Sequence, residues 1–130
     1  MEVRTGIDII EVDRVRNSIE RLGNTFINKV FTKKEIEYCK STNKMMYQHY
    51  AARFAVKEAT FKAISNLLDG KYSINWQNVE TIVEESGKPR INFVNLDEKV
   101  QKELEKIESI DVSISHIEKV AIANVTILIN

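Results

Sequence analysis

The segment Arg53-Phe54-Ala55-Val56-Lys57-Glu58-Ala59-Thr60-Phe61-Lys62-Ala63 decides how the rest of this 130-residue chain is read. Wound as a helix at about 100° per residue, it places Glu58 and Lys62 within about 40° of each other. Phe54 and Phe61 flank that pair on one side, and Ala55, Ala59 and Ala63 on the other. Arg53, Lys57 and Thr60 form a polar stripe nearly opposite, which is the expected solvent face. Glu58 and Lys62 then lie off that face, bracketed by apolar side chains, as a buried ion pair or as working groups.

Outward from this helix the chain reads as one α+β domain over residues 1–130. Val3 to Ile10 alternates as a strand, with Val3, Thr5, Ile7 and Ile9 on one face and Gly6, Asp8 and Ile10 on the other. Val12, Val15, Ile19 and Leu22 repeat at helical spacing up to Gly23, a C-terminal stop. Thr32-Lys33-Lys34-Glu35 has the form of a capping box and opens a helix through Cys39. The central helix is expected over about Met45 to Leu68, ending at Asp69-Gly70. Val79–Glu84 and Arg90–Val94 form a hairpin around Glu85–Pro89. Leu96, Val100, Leu104 and Ile107 mark an amphipathic helix. Ile110–His116 and Val120–Leu128 close the chain as a second hairpin around Glu118-Lys119. The expected architecture is an antiparallel sheet packed with a long central helix.

Composition narrows the function classes. With 19 basic and 19 acidic residues the net charge is zero, which argues against a nucleic-acid surface dependent on counterion release. Cys39 is the only cysteine, so an internal disulfide and a thiolate cluster for zinc are excluded. No apolar run reaches transmembrane length, and the first four residues are too charged for a signal peptide. The expectation is a soluble, cytoplasmic protein. There is no P-loop, dinucleotide fingerprint or Gly-x-Ser-x-Gly nucleophile.

Asp8 lies in an Ile/Val-rich strand, where aspartate is rare and costly to bury. It serves either as a cap for the following helix, where Glu11 and Asp13 also gather, or as a functional carboxylate. Glu58 is either half of an i,i+4 pair with Lys62 or a working group. Two carboxylates on separate elements suit a hard cation, for which Mg²⁺ is the natural candidate. His116 ends Ser113-Ile114-Ser115-His116, where it caps a strand or meets a phosphate. Gly87-Lys88-Pro89 also reads as an ordinary turn. His49 has no partner in the pattern and is expected on the surface.

Three blocks in order resemble the holo-acyl-carrier-protein synthase family, the small phosphopantetheinyl transferases. They are Gly6-Ile7-Asp8-Ile9, then Arg53-Phe54-Ala55-Val56-Lys57-Glu58-Ala59 with Lys62 and Ala63, and Val112-Ser113-Ile114-Ser115-His116. Gly87-Lys88-Pro89 falls where the family carries the same tripeptide. The resemblance implies the 4'-phosphopantetheinyl transferase-like fold. It also implies transfer of 4'-phosphopantetheine from coenzyme A to a serine of an apo acyl carrier protein, releasing adenosine 3',5'-bisphosphate.

By the same resemblance Asp8 and Glu58 hold Mg²⁺, with Mn²⁺ as an alternative, and Glu58 accepts the serine proton. Lys62 meets the departing phosphate. Arg53, Lys62, Lys88, Pro89 and His116 contact coenzyme A. The family implies a homotrimer with coenzyme A between subunits, which suits Arg53 lying on the stripe opposite Glu58. One departure concerns the first helix, usually basic in the family, where it docks the acidic helix of the carrier. Here Arg14, Arg16 and Arg21 alternate with Glu11, Asp13 and Glu20, and the docking patch reduces to Arg14 and Arg21, which share a face. The alternatives are a non-catalytic module of the same fold that binds the carrier, and a Mg²⁺-dependent hydrolase.

Overall fold

The computed structural model of the chain describes residues 1–68 and 74–130. Its elements run β1 (Glu2–Glu11), α1 (Val12–Leu22), α2 (Asn24–Val30), α3 (Lys33–Ser41), α4 (Met46–Ile64), β2 (Val79–Val83), β3 (Pro89–Phe93), α5 (Glu98–Leu104), β4 (Ile107–His116) and β5 (Val120–Ile129). Short 3-10 turns at Asn43–Met45 and Trp76–Asn78 precede α4 and β2. β1 pairs antiparallel with β5 along its length, from Glu2 opposite Ile129 to Glu11 opposite Val120. β4 flanks β5 on the other side, so the sheet order is β1-β5-β4. β2 and β3 form a separate hairpin, Val79 opposite Phe93 and Val83 opposite Pro89.

Most elements fall where hydrophobic period and caps place them. Gly23, at φ 57°, ends α1 by returning its N–H to the Ile19 carbonyl. Thr32 and Glu35 make both reciprocal bonds of the capping box that opens α3. Two expectations need correction, and one element, α2, was not foreseen. α2 has no helical signature strong enough to read beforehand. Ile107, expected on the last amphipathic helix, begins β4 opposite Ile129. The central helix ends at Ile64 rather than Leu68, and its expected stop at Asp69-Gly70 lies outside the described residues.

β1 lies directly against α4, and its glycine makes the approach possible. A Cβ on Gly6 would stand 1.9 Å from the Ala59 carbonyl oxygen and 2.8 Å from the Ala63 nitrogen, both backbone atoms that cannot step aside. Ala55, Ala59 and Ala63, all buried, form the matching stripe on the helix. Glycine against alanines therefore sets the strand–helix distance, and Asp8, two residues beyond Gly6, faces the helix with it.

The polar stripe on α4 is buried, contrary to the expected solvent face. Arg53 is 4% exposed, and Lys57 and Thr60 are both 0%. The neighbours on that side are polar in a complementary way. The Lys57 ammonium donates to Glu35 Oε1 of α3 at 2.8 Å, to the Trp76 carbonyl at 2.8 Å and to the Val79 carbonyl at 2.5 Å. Three acceptors and no donor around Nζ require the charged form. Burial pulls the Lys57 proton affinity down, and the Glu35 charge opposes that pull. Glu35 is fully satisfied in turn, accepting also from Thr32 N and, through Oε2, from Thr81 N at 2.9 Å each. Thr60 returns its hydroxyl to the Val56 carbonyl. The open edge of α4 is instead the one carrying half-buried Phe54, Glu58 and Phe61 and exposed Lys62.

Candidate active site

Asp8 on β1 and Glu58 on α4 line one cavity of about 340 Å³, together with Arg14, Val15 and Ser18 of α1, Phe26 of α2 and Phe54. Two effects raise the Glu58 proton affinity: burial first, then the negative charge of Asp8. The nearby Trp76 indole N–H and the Lys62 charge act in the opposite sense. Two carboxylates that repel each other across a polar cavity fit a divalent cation that neutralises both. The described residues contain no group of three or more His, Cys, Asp or Glu side chains suited to a metal. A two-carboxylate set is the arrangement by which Mg²⁺ is held when water and substrate phosphate complete its shell. Asp8 and Glu58 therefore fit the ion.

Lys62 does not pair with Glu58. Its ammonium crosses to β1, 2.9 Å from the Ile7 carbonyl and 3.3 Å from Asp8 Oδ1. The lysine side chain is 57% exposed, against 19% for the aspartate, so it is tethered at the cavity edge and free to turn toward a ligand phosphate. The i,i+4 reading of Glu58 and Lys62 gives way to a cross-element contact that orients Asp8.

The remaining expected site residues fall into two further groups. Arg53 stacks its guanidinium over Tyr38 at 4.1 Å, donates a long bond to the His49 carbonyl and makes no ion pair among the described residues. His116 bonds Gln48 through Nδ1 at 2.7 Å and stands edge-on to the His49 ring, centroids 5.2 Å apart. His49, expected on the surface, sits half-buried between them, with Nδ1 on Thr42 Oγ1 at 2.9 Å. Lys88 is elsewhere, 3.3 Å from Asp111 Oδ1 beside Pro89 on the β2–β3 turn. None of Arg53, His116 and Lys88 lines the Asp8–Glu58 cavity. On α1, Arg16 is engaged by Asp13 and the Tyr47 ring, whereas Arg14 and Arg21 are exposed and make no ion pair among the described residues.

His49 has a measurable consequence. Burial, the Arg53 cation and His116 lower its pKa from 6.5 to about 4. Between those values the unfolded chain binds more protons than the folded one, so this imidazole makes stability fall as pH drops from about 6.5 toward about 4. An NMR titration should place its midpoint near the lower value, and His49→Gln should flatten the stability profile in that window. A midpoint at the ordinary histidine value would contradict the placement.

Sequence reading missed Trp76, Gln48, Ser18 and Phe26 as neighbours of functional groups. None belongs to a recognisable pattern, and each is brought in by an element packed from elsewhere. Glu35 was visible only as a helix cap, since its bond to Lys57 spans 22 residues.

Comparison with known proteins places the chain in a family. Residues 4–124 match the model of the 4'-phosphopantetheinyl transferase superfamily. The chain is 42% identical over 125 residues to a holo-[acyl-carrier-protein] synthase of Ruminiclostridium cellulolyticum, covering 95% of this chain and 90% of that one. It is likewise 42% identical over 125 residues to the synthase of Chlamydia felis, covering 95% of each. Among solved structures it is similar to the Helicobacter pylori holo-[acyl-carrier-protein] synthase in complex with coenzyme A, with TM-score 0.78, 28% identity and coverage of 95% and 99%. Matched in sequence over nearly its whole length and in fold, the chain belongs to the holo-[acyl-carrier-protein] synthase family of the 4'-phosphopantetheinyl transferase superfamily.

Proposed function

We propose that this chain, as one domain over residues 1–130 working in the cytoplasm, moves 4'-phosphopantetheine from coenzyme A to a serine of an apo acyl carrier protein and releases adenosine 3',5'-bisphosphate. The observation that carries the reading is the meeting of Asp8 and Glu58, from two elements, in one cavity beside exposed Arg14. The coenzyme A bound in the Helicobacter pylori relative supports the choice of donor. Asp8 and Glu58 would hold Mg²⁺, or Mn²⁺ as a substitute, which would supply charge neutralisation at the attacked phosphate. The chain does the rest. Glu58 takes the proton from the serine Oγ as general base. Lys62 turns from the Ile7 carbonyl to the departing phosphate, with its base anchored one helical turn from Glu58.

Incubating the protein with Mg²⁺, coenzyme A and apo carrier and weighing the carrier tests the reading. A gain of one phosphopantetheine is expected. Coenzyme A cleavage without carrier gain would indicate a hydrolase, and no change a binding module.

A homotrimer with sites between subunits fits two observations. Arg53, His116 and Lys88, assigned to coenzyme A, do not reach the Asp8–Glu58 cavity of their own chain. The outer face of β1 leaves Val3, Ile7 and Ile9 at 62%, 55% and 66% exposure, an apolar strip suited to burial against further copies. Sedimentation should give a species of three 15.0 kDa chains; a fully active monomer would contradict it.

Arg14 and Arg21 form the docking edge for an acidic carrier helix. Arg21→Glu should raise the carrier KM by about tenfold or more, since like charges across an interface cost several kcal/mol, and leave the coenzyme A KM unchanged. An unchanged carrier KM would remove Arg21 from the docking surface.

A further inference from the structure

Hydrogen-bond partners fix where the ring protons of His49 and His116 sit. Thr42 gives its hydroxyl proton to the Cys39 carbonyl at 2.7 Å. Its oxygen can then only accept, so His49 Nδ1, 2.9 Å away, is the donor. His116 Nδ1 meets Gln48 Oε1 at 2.7 Å. An amide oxygen accepts and never donates, which puts a proton on His116 Nδ1 as well. Nε2 is therefore the one ring nitrogen that His116 has left for a ligand, and in the neutral ring it carries a lone pair.

A lone pair cannot bond a phosphate oxygen. His116 becomes a donor to an anion only when Nε2 takes a second proton from solvent. Gln48 favours that state, because the Nδ1–H it accepts is a stronger donor on a charged ring. His49 does not compete for the proton, since burial, Arg53 and His116 lower its pKa to about 4.

The surroundings supply cations and no counter-charge. Arg53 is 4% exposed, its Nε is buried without a partner, and a cation so placed is costly. It joins the cluster through Tyr38, whose ring lies 4.1 Å from the guanidinium and 5.4 Å from the His49 ring. β5 sets only Ala121 opposite His116. Glu118 and Lys119, in the turn after β4, are exposed. An anion is the missing member of this group.

We propose that Gln48 is a positioning residue for the donor substrate: by holding one His116 proton on Nδ1 it leaves Nε2 for a coenzyme A phosphate, which binds with uptake of one proton at that atom. The assignment deepens, and rests on, the reading of coenzyme A as donor with His116 among its contacts.

The chain has two histidines, whose ring-nitrogen NMR signals His49→Gln tells apart. At the lowest pH where both rings are neutral, His116 should show Nδ1–H and a bare Nε2. Coenzyme A should add a proton at Nε2 and leave His49 as it was, a change that a mere packing role for Gln48 would not produce. Gln48→Met keeps the length and loses the acceptor. Coenzyme A should then bind about tenfold more weakly, the weight of one hydrogen bond to a charged group, with the carrier KM unchanged. A free His116 protonated on Nε2, or a ring still neutral with coenzyme A bound, overturns the assignment even where Gln48→Met fails to fold. A wild type that transfers, with Gln48→Met holding coenzyme A equally well, overturns it and leaves the function standing. A wild type that binds no coenzyme A removes the donor and this assignment together.

Discussion

Lys57→Met should lower stability by about 3–5 kcal/mol, the range for removing one partner of a buried ion pair. The side chain is fully buried and all three ammonium protons are used. Methionine fills much of the volume but strands the Glu35 carboxylate at 0% exposure, as well as the Trp76 and Val79 carbonyls. Against a total stability of roughly 5–15 kcal/mol, that loss would show as a fall of about 10–20 °C in Tm. Most of the penalty comes from the orphaned charge, so Glu35→Gln/Lys57→Met, which removes both charges, should recover part of it. A Lys57→Met Tm within a few degrees of wild type would mean that the pair is not the joint between α4, α3 and β2 described above. Calorimetric or circular-dichroism melts of the two variants decide it.

The second large effect is catalytic. Glu58→Gln preserves side-chain shape and hydrogen-bonding capacity but removes the base and one of two metal-facing charges. Loss of a positioned general base alone costs about 10²–10⁴ in rate, and the weakened metal site adds to that. Stability should not fall, because Glu58 is partly buried, repelled by Asp8 and not paired with Lys62. A neutral amide there relieves repulsion. Asp8→Asn should behave similarly in rate, and the double variant should lose little more than either single one, as groups acting as a unit do.

The fold was largely legible because its signals are local. Alternation in β1, the capping box at Thr32–Glu35, the glycine after Leu22 and the two hairpins all act within a few residues of where they are read. The pairing of Asp8 with Glu58 was suggested by chemistry, two carboxylates on separate elements suiting a hard cation, and sharpened by the resemblance; periodicity alone says nothing across the 50 positions that separate them. The failure at Arg53, Lys57 and Thr60 is instructive in physical terms. A polar stripe marks a solvent face only if no complementary polar surface packs on it. Here α3 brings a carboxylate, and the Trp76–Val79 segment brings carbonyls, so the stripe turns inward and the Phe54–Glu58–Lys62 edge faces out. Helical period locates the stripes; tertiary partners decide which of them is wet. His49 was misplaced for the same reason, because Tyr38 and His116 arrive from α3 and β4.

The account stands on Asp8 and Glu58 acting as one site for transfer to a carrier serine. The most direct test is the rate at which apo carrier gains the mass of one phosphopantetheine, followed by mass spectrometry with wild type and Glu58→Gln at equal Mg²⁺ and coenzyme A. The prediction is full conversion by the wild type and a rate at least about 10² lower for the variant at an unchanged or higher Tm. Transfer by Glu58→Gln at the wild-type rate would contradict it.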